Sequence, residues 1–139
     1  MVYDDGTVLP WSTYSVVGTL DRYQKETGRK ISGRELFDLA GTDPVAKKYV
    51  DRFYYYLALG CLSIGFALDP DLIVIGGAIS CREDFKQQID YQLEKIKKTS
   101  KTYTFNHTEI KAAQLGNTAN LLGALFNHVY IHRCELKRE

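Results

Sequence analysis

The chain has 139 residues, 25% of them charged and 45% hydrophobic, with a formal net charge of +1. That is the length of one ordinary domain with a real core. The near-neutral balance offers no basic field for nucleic acid and no acidic one for cationic partners. No stretch reaches the roughly 18 apolar residues that a membrane span needs. No basic region followed by an apolar one marks a signal peptide, so the reading is a cytoplasmic protein.

From the N-terminus, Asp4-Asp5-Gly6-Thr7 lies between apolar pairs and predicts an Asp-Gly hairpin turn. Trp11-Ser12-Thr13-Tyr14-Ser15 supplies hydroxyls suited to capping a helix. Val16, Val17, Leu20 and Tyr23 then recur at helical spacing until Gly28. Ser32-Gly33-Arg34-Glu35 has the form of a capping box and predicts a short helix ending at Gly41. Asp43-Pro44 is a second start signal, an N-cap followed by proline at the first helical position.

A long helix is expected from there to Leu68, with Ala46, Val50, Phe53, Leu57, Cys61, Ile64 and Leu68 down one face. Its first half mixes charge with apolar residues and reads as solvated; Leu57 to Leu68 is uncharged and reads as buried. Gly60 and Gly65 fall where close packing is needed, and Tyr54-Tyr55-Tyr56 reads as aromatic packing between core and rim.

Leu72-Ile73-Val74-Ile75, bounded by Pro70 and by Gly76-Gly77, predicts a strand buried on both faces, as in a parallel sheet. The paired glycines let the chain turn at the strand's carboxyl end and let a ligand approach the main chain. Glu83 to Lys98 follows as an amphipathic helix. Its lysines, Lys86, Lys95, Lys97 and Lys98, together with Lys101, are read as a solvated face rather than a nucleic-acid patch. Thr108 to Ala112 alternates polar and apolar residues, as a half-buried strand does. Gln114 to Asn117 is a turn, and Thr118 to Val129 is an apolar helix whose Ala119, Gly123 and Ala124 suit close packing. Tyr130 to Glu139 reads as a polar tail that frays. Cys61, Cys81 and Cys134 are odd in number and far apart, which encodes no zinc ribbon or redox pair and reads as free thiols. His107, His128 and His132 match no metal-ligand spacing.

Two blocks carry a resemblance. Asp69-Pro70-Asp71-Leu72-Ile73-Val74-Ile75-Gly76-Gly77-Ala78-Ile79-Ser80 is similar to a "P-E-x-I-V-I-G-G-G-I-S" pattern, and Ala113 to Ala124 to "L-G-N-D-A-x-L-x-G-A". Gly41-Thr42-Asp43-Pro44 echoes a Gly-Asp-Pro before a long helix. The chain thus resembles the C-terminal part of the ROK family of bacterial sugar kinases and sugar-responsive repressors. The resemblance implies an α/β, helix-rich, partial actin/hexokinase-like (ribonuclease H-like) lobe with short strands, spanning residues 1–129, followed by the tail 130–139.

The resemblance further implies that Gly76 and Gly77 line the adenosine side of an ATP site, with Ala78 opening the following helix. Gly116 and Asn117 are weaker binding candidates, Asn117 reading more readily as a helix cap. The family's Asp-x-Gly-Gly-Thr phosphate loop, its catalytic Asn-Asp pair, its Glu-x-Gly-His sugar motif and its Cys-x-Cys-Gly-x-x-Gly-Cys-x-Glu zinc motif do not occur. The glutamate that ends the zinc motif, a sugar ligand in the family, should fall near Trp11 or Ser12. No catalytic residue, metal ligand or zinc is therefore expected. The implied function is a fragment of an ATP- and magnesium-dependent hexose kinase of glucokinase type. It would supply the adenosine site and a homodimer surface, and would meet sugar only with the N-terminal lobe. Phosphoryl transfer needs a base and phosphate-holding charges that this stretch lacks, so it is not expected to be catalytic alone. The alternatives are an effector-domain fragment of a ROK-type repressor or a non-catalytic assembly module.

Overall fold

A computed structural model describes residues 1–4, 6–99 and 107–136; the side chains of Val2, Tyr3, Asn117 and residues 132–136 lie outside the description. Asp5 and Lys101 fall outside the described residues, as do the side chains of His132 and Cys134. The expected hairpin forms around Gly6 at φ +79°: Val2–Asp4 (β1) pairs antiparallel with Thr7–Leu9 (β2).

Helix boundaries follow the capping chemistry. Val16–Thr27 (α1) starts at Ser15, whose hydroxyl accepts the Gly18 N–H at 3.2 Å, and stops at Gly28 with φ +70°. At Gly33–Leu39 (α2) the capping box is complete. Glu35 N–H donates to Ser32 Oγ at 3.2 Å, and Ser32 N–H to Glu35 Oε2 at 2.7 Å. Pro44–Leu68 (α3) begins at Asp43, whose carboxylate accepts the N–H groups of Val45 and Ala46 at 2.8 and 3.3 Å. The same residue accepts the Tyr23 hydroxyl at 3.1 Å, which ties α1 to the start of α3.

Phe85–Lys97 (α4) also packs against α3. The core therefore has α3 as its spine. Around it Tyr23, Leu36 and Phe37, and from α4 Phe85, Ile89 and Ile96, join one cluster. Its centre lies at Tyr49 to Leu62 and straddles the charged and uncharged halves of the helix: Tyr54 and Ala58 are fully buried, whereas Leu68 at the uncharged end is 75% exposed. The neighbouring helices flank the middle of α3, so hydrophobicity along its length does not report depth. Long side chains such as Arg52 and Lys48 reach outward from a helix whose tyrosines face inward.

Leu72–Ile75 (β3) pairs in parallel with Glu109–Ala112 (β4), placing Leu72 opposite Glu109 and Val74 opposite Lys111. Only one face of this two-stranded sheet is packed, through Ile73, Ile75 and Ile110. The expectation of a strand buried on both faces is thus corrected: Leu72 and Val74 are 44% and 54% exposed, because among the described residues nothing covers their side. Ala119–Leu136 (α5) runs seven residues past the expected end at Val129, taking part of the expected tail into the helix. Its side chains from Ala119 to Ile131 are all exposed, so its small residues serve no close packing here; a Cβ at Gly123 would meet open space.

Candidate functional site

The Gly-Gly turn does not open directly into a long helix. Gly77 adopts φ +84°, ψ −179°, a region essentially reserved for glycine, and a 3₁₀ turn at Ala78–Cys81 intervenes before α4. Ser80 locks the turn: its N–H and its hydroxyl both donate to the Gly77 carbonyl, at 3.2 and 2.8 Å, and the residue is buried. Gly76 needs no special conformation, and a Cβ there would come no closer than 4.0 Å to Ala113.

The two sequence blocks meet at the carboxyl end of the parallel pair. Ala113 N–H donates to the Ile75 carbonyl at 2.8 Å, continuing the ladder to the point where both strands turn away. The second turn, Gly116–Thr118, lies against the first. A Cβ on Gly116 would stand 2.5 Å from Cys81 Sγ, and Gly116 has φ +50°. This is the edge where α/β sheets place ligands, since backbone groups leaving the strands are free to face a crevice. Of the predicted residues, Gly76, Gly77, Ala78 and Gly116 are brought together there. Asn117 has its backbone in the second turn, and its side chain lies outside the description.

Beside the first turn runs a groove of about 600 Å³. Its apolar lining comes from Ala78, Ile79 and Cys81 on the turn, Val16 on α1, and Gly33 and Phe37 on α2. Arg34, Arg82, Glu83 and Asp84 supply its polar lining. Arg82 bridges the two walls: Nε donates to Asp84 at 2.9 Å, Nη1 to Asp38 at 2.8 Å, and the guanidinium lies 5.5 Å from the centre of the Phe37 ring. Burial would lower the Arg82 pKa, but its bonds to the Asp84 and Asp38 carboxylates and their charges outweigh it and raise it further. Its charge is thus committed to the scaffold, leaving Arg34 as the lining cation that pairs with no acid among the described residues.

An apolar slot with a few polar groups at its rim suits a flat ring system better than a triphosphate. Burial pushes the neighbouring core phenol of Tyr54 up to about 12, so it stays neutral. Among the described residues, no group of three or more His, Cys, Asp or Glu side chains comes together as a metal site. Nor is any helix among them long and apolar enough to cross a membrane. Of the described cysteines, Cys61 is buried and Cys81 exposed, both as free thiols.

Sequence reasoning missed the α1 and α2 wall entirely. Val16, Arg34 and Phe37 stand some forty or more positions upstream of the turn, and no spacing rule connects them. The run Arg82-Glu83-Asp84, placed directly after the turn, was the one legible signal of a polar rim.

The ROK family model matches residues 11–127. An uncharacterised protein of Clostridium perfringens is 35% identical over 99 residues, which cover 70% of this chain and 32% of that protein. A β-glucoside kinase of Listeria innocua is 29% identical, covering 76% of this chain and 35% of the kinase. A glucokinase of Halalkalibacterium halodurans is 31% identical, over 67% and 28% of the two chains. The chain thus spans about a third of the length of these relatives. Among solved structures, a ROK family protein from Streptococcus pneumoniae in complex with sucrose superposes with a TM-score of 0.77 at 28% identity, over 88% of this chain and 43% of its own. That likeness identifies the helix-rich fold with its few short strands as part of an actin/hexokinase-like lobe. On the extent of the family match and the agreement of the fold, the chain belongs to the ROK family.

Proposed function

We propose that this chain is the nucleotide-side, C-terminal portion of a ROK sugar kinase, holding the adenosine of ATP at the turn Gly76-Gly77-Ala78 and in the adjoining groove. The observation that carries the reading is the meeting of the two glycine turns at the carboxyl end of β3 and β4, next to a slot walled by Ile79 and Phe37. Relatives named as β-glucoside kinase, glucokinase and N-acetylmannosamine kinase support a sugar as the phosphate acceptor of the complete enzyme. The chain's own part is to bind and orient: Gly76 leaves room for a ribose or phosphate near the main chain, and the Arg82 bridge fixes the distance between the walls. Transfer to a sugar hydroxyl also needs a base poised at that hydroxyl, a part this reading gives to the rest of the enzyme.

The test is thermal unfolding with and without millimolar ATP and magnesium. A ligand that binds only the folded state raises the midpoint, by an amount equivalent to about 2.7 kcal/mol at a hundred times Kd. An ATP-specific rise, absent with free phosphate, supports the adenosine site. A well-folded chain that shows no rise fits the non-catalytic assembly module instead.

A further inference from the structure

One face of α2 turns toward the groove beside the first glycine turn. Arg34 and Phe37 stand three positions apart on that helix, and both line the groove. Phe37 is buried and Arg34 exposed, so this face runs from the depth of the groove to its mouth.

Phe37 is the one aromatic side chain of the lining among the described residues, and its ring is already engaged. The Arg82 guanidinium lies 5.5 Å from its centre, and the perpendicular rings of Phe53 and Tyr54 stand 5.1 and 5.9 Å away. A flat ring entering the groove therefore meets aliphatic wall at Val16 and Ile79 and has no uncommitted aromatic ring to stack on. The planar group left for it is the Arg34 guanidinium. Arg82 is held by Asp38 and Asp84, whereas Arg34 pairs with no acid among the described residues.

The surrounding charge decides what Arg34 can hold. Glu83 and Asp84 line the groove, and Asp38 is drawn to it by the bond from Arg82 at 2.8 Å. Two guanidinium groups thus face three carboxylates. That excess of negative charge repels a triphosphate but not an uncharged base, and a guanidinium stacks well on the face of such a ring.

Resting on the nucleotide reading above, we propose that Arg34 is the residue that holds the base. Its guanidinium closes over the mouth of the groove and stacks on the purine, while the phosphates leave toward the Gly76-Gly77 turn.

The probe is magnesium-ATP, titrated calorimetrically into the full 139-residue chain and into its Arg34→Ala and Arg34→Lys variants. Both variants should keep the wild-type thermal midpoint, because the side chain is exposed. Arg34→Ala should weaken ATP binding roughly three- to thirtyfold. Arg34→Lys should recover little of that loss, since an ammonium keeps the charge but offers no plane to stack. Cys81, exposed and in the same lining, reports the place of binding. ATP should slow its alkylation by iodoacetamide, read by peptide mass spectrometry, and Arg34→Ala should need correspondingly more ATP for the same protection. Equal affinity in wild type and Arg34→Ala overturns the proposal and leaves the nucleotide site standing. Full recovery in Arg34→Lys also overturns it, by assigning the side chain to a phosphate. ATP that binds without protecting Cys81 overturns the placement of the base in the groove. No binding to wild type overturns the nucleotide reading itself, and this proposal with it.

Discussion

Asp4 shows how one residue ties the N-terminal hairpin to the helical core. Its carboxylate, 9% exposed, accepts Arg52 Nη2 at 2.9 Å, pairs with Arg22 at 3.6 Å, and accepts the hydroxyl of Tyr14, whose ring stacks on Tyr56 at 3.8 Å. Burial works to raise its pKa, but the bonds from Tyr14 and Tyr56 and the charges of Arg52 and Arg22 outweigh it, so the carboxyl titrates below its ordinary value. A folded pKa below the unfolded one means the stabilisation is full above the unfolded pKa, about 4, and is lost as pH falls through the folded value. Asp4→Asn should therefore lower stability at pH 7 by about 1–3 kcal/mol. The gap from wild type should close on acidification below about pH 4, as read by urea unfolding at a series of pH values. A gap independent of pH would show that Asp4 acts by shape alone. At the candidate site, Gly77→Ala places a Cβ in open space but on a backbone that L residues scarcely adopt. A loss of about 1–3 kcal/mol from strain alone is expected in the same assay.

At the scale of elements, Trp11, with Tyr14, joins the 3₁₀ turn at Trp11–Tyr14 to α3. Its indole Nε1 donates to the Tyr56 carbonyl at 2.9 Å, and its ring lies where a Cβ on Gly60 would stand, 2.1 Å away. Gly60→Ala must push the indole aside and should cost about 1–3 kcal/mol. Because Trp11 is the chain's one tryptophan, its emission should move to the red as the ring loses cover. Unchanged emission would contradict this packing. The boundaries of α1, α2 and α3 were legible because Ser15, Ser32, Asp43, Pro44 and Gly28 act within a few residues of themselves. The role of Gly60 was legible only as a need for a close neighbour; that the neighbour is Trp11, forty-nine positions away, is a tertiary fact. The 3₁₀ turn at Ala78–Cys81 was missed because its geometry follows from the Gly77 conformation and the two bonds from Ser80, neither of which leaves a periodic pattern.

For the whole molecule, the strand–turn–helix order and both glycine blocks could be read from residue types, and so could the family. Depth could not. The aliphatic run of β3 and the apolar α5 describe a chain with neighbours on every side, and the described structure leaves Val74 and Leu125 at 54% and 60% exposure. A sequence records which surfaces are made to be covered, not whether the covering element lies within it. The same limit holds for the groove, whose far wall is set by the packing of α2 on α3.

The central claim is that the Gly76-Gly77 turn still binds a nucleotide, and calorimetric titration of ATP into the wild-type chain and into Gly76→Ala tests it most directly. The structure gives the added methyl room beside Ala113, so the variant should keep its thermal midpoint while losing the close approach to the main chain. Saturable binding to wild type, weakened roughly tenfold or more in the variant, is the predicted result. No saturable heat with wild type, or equal affinity in both chains, would contradict the account.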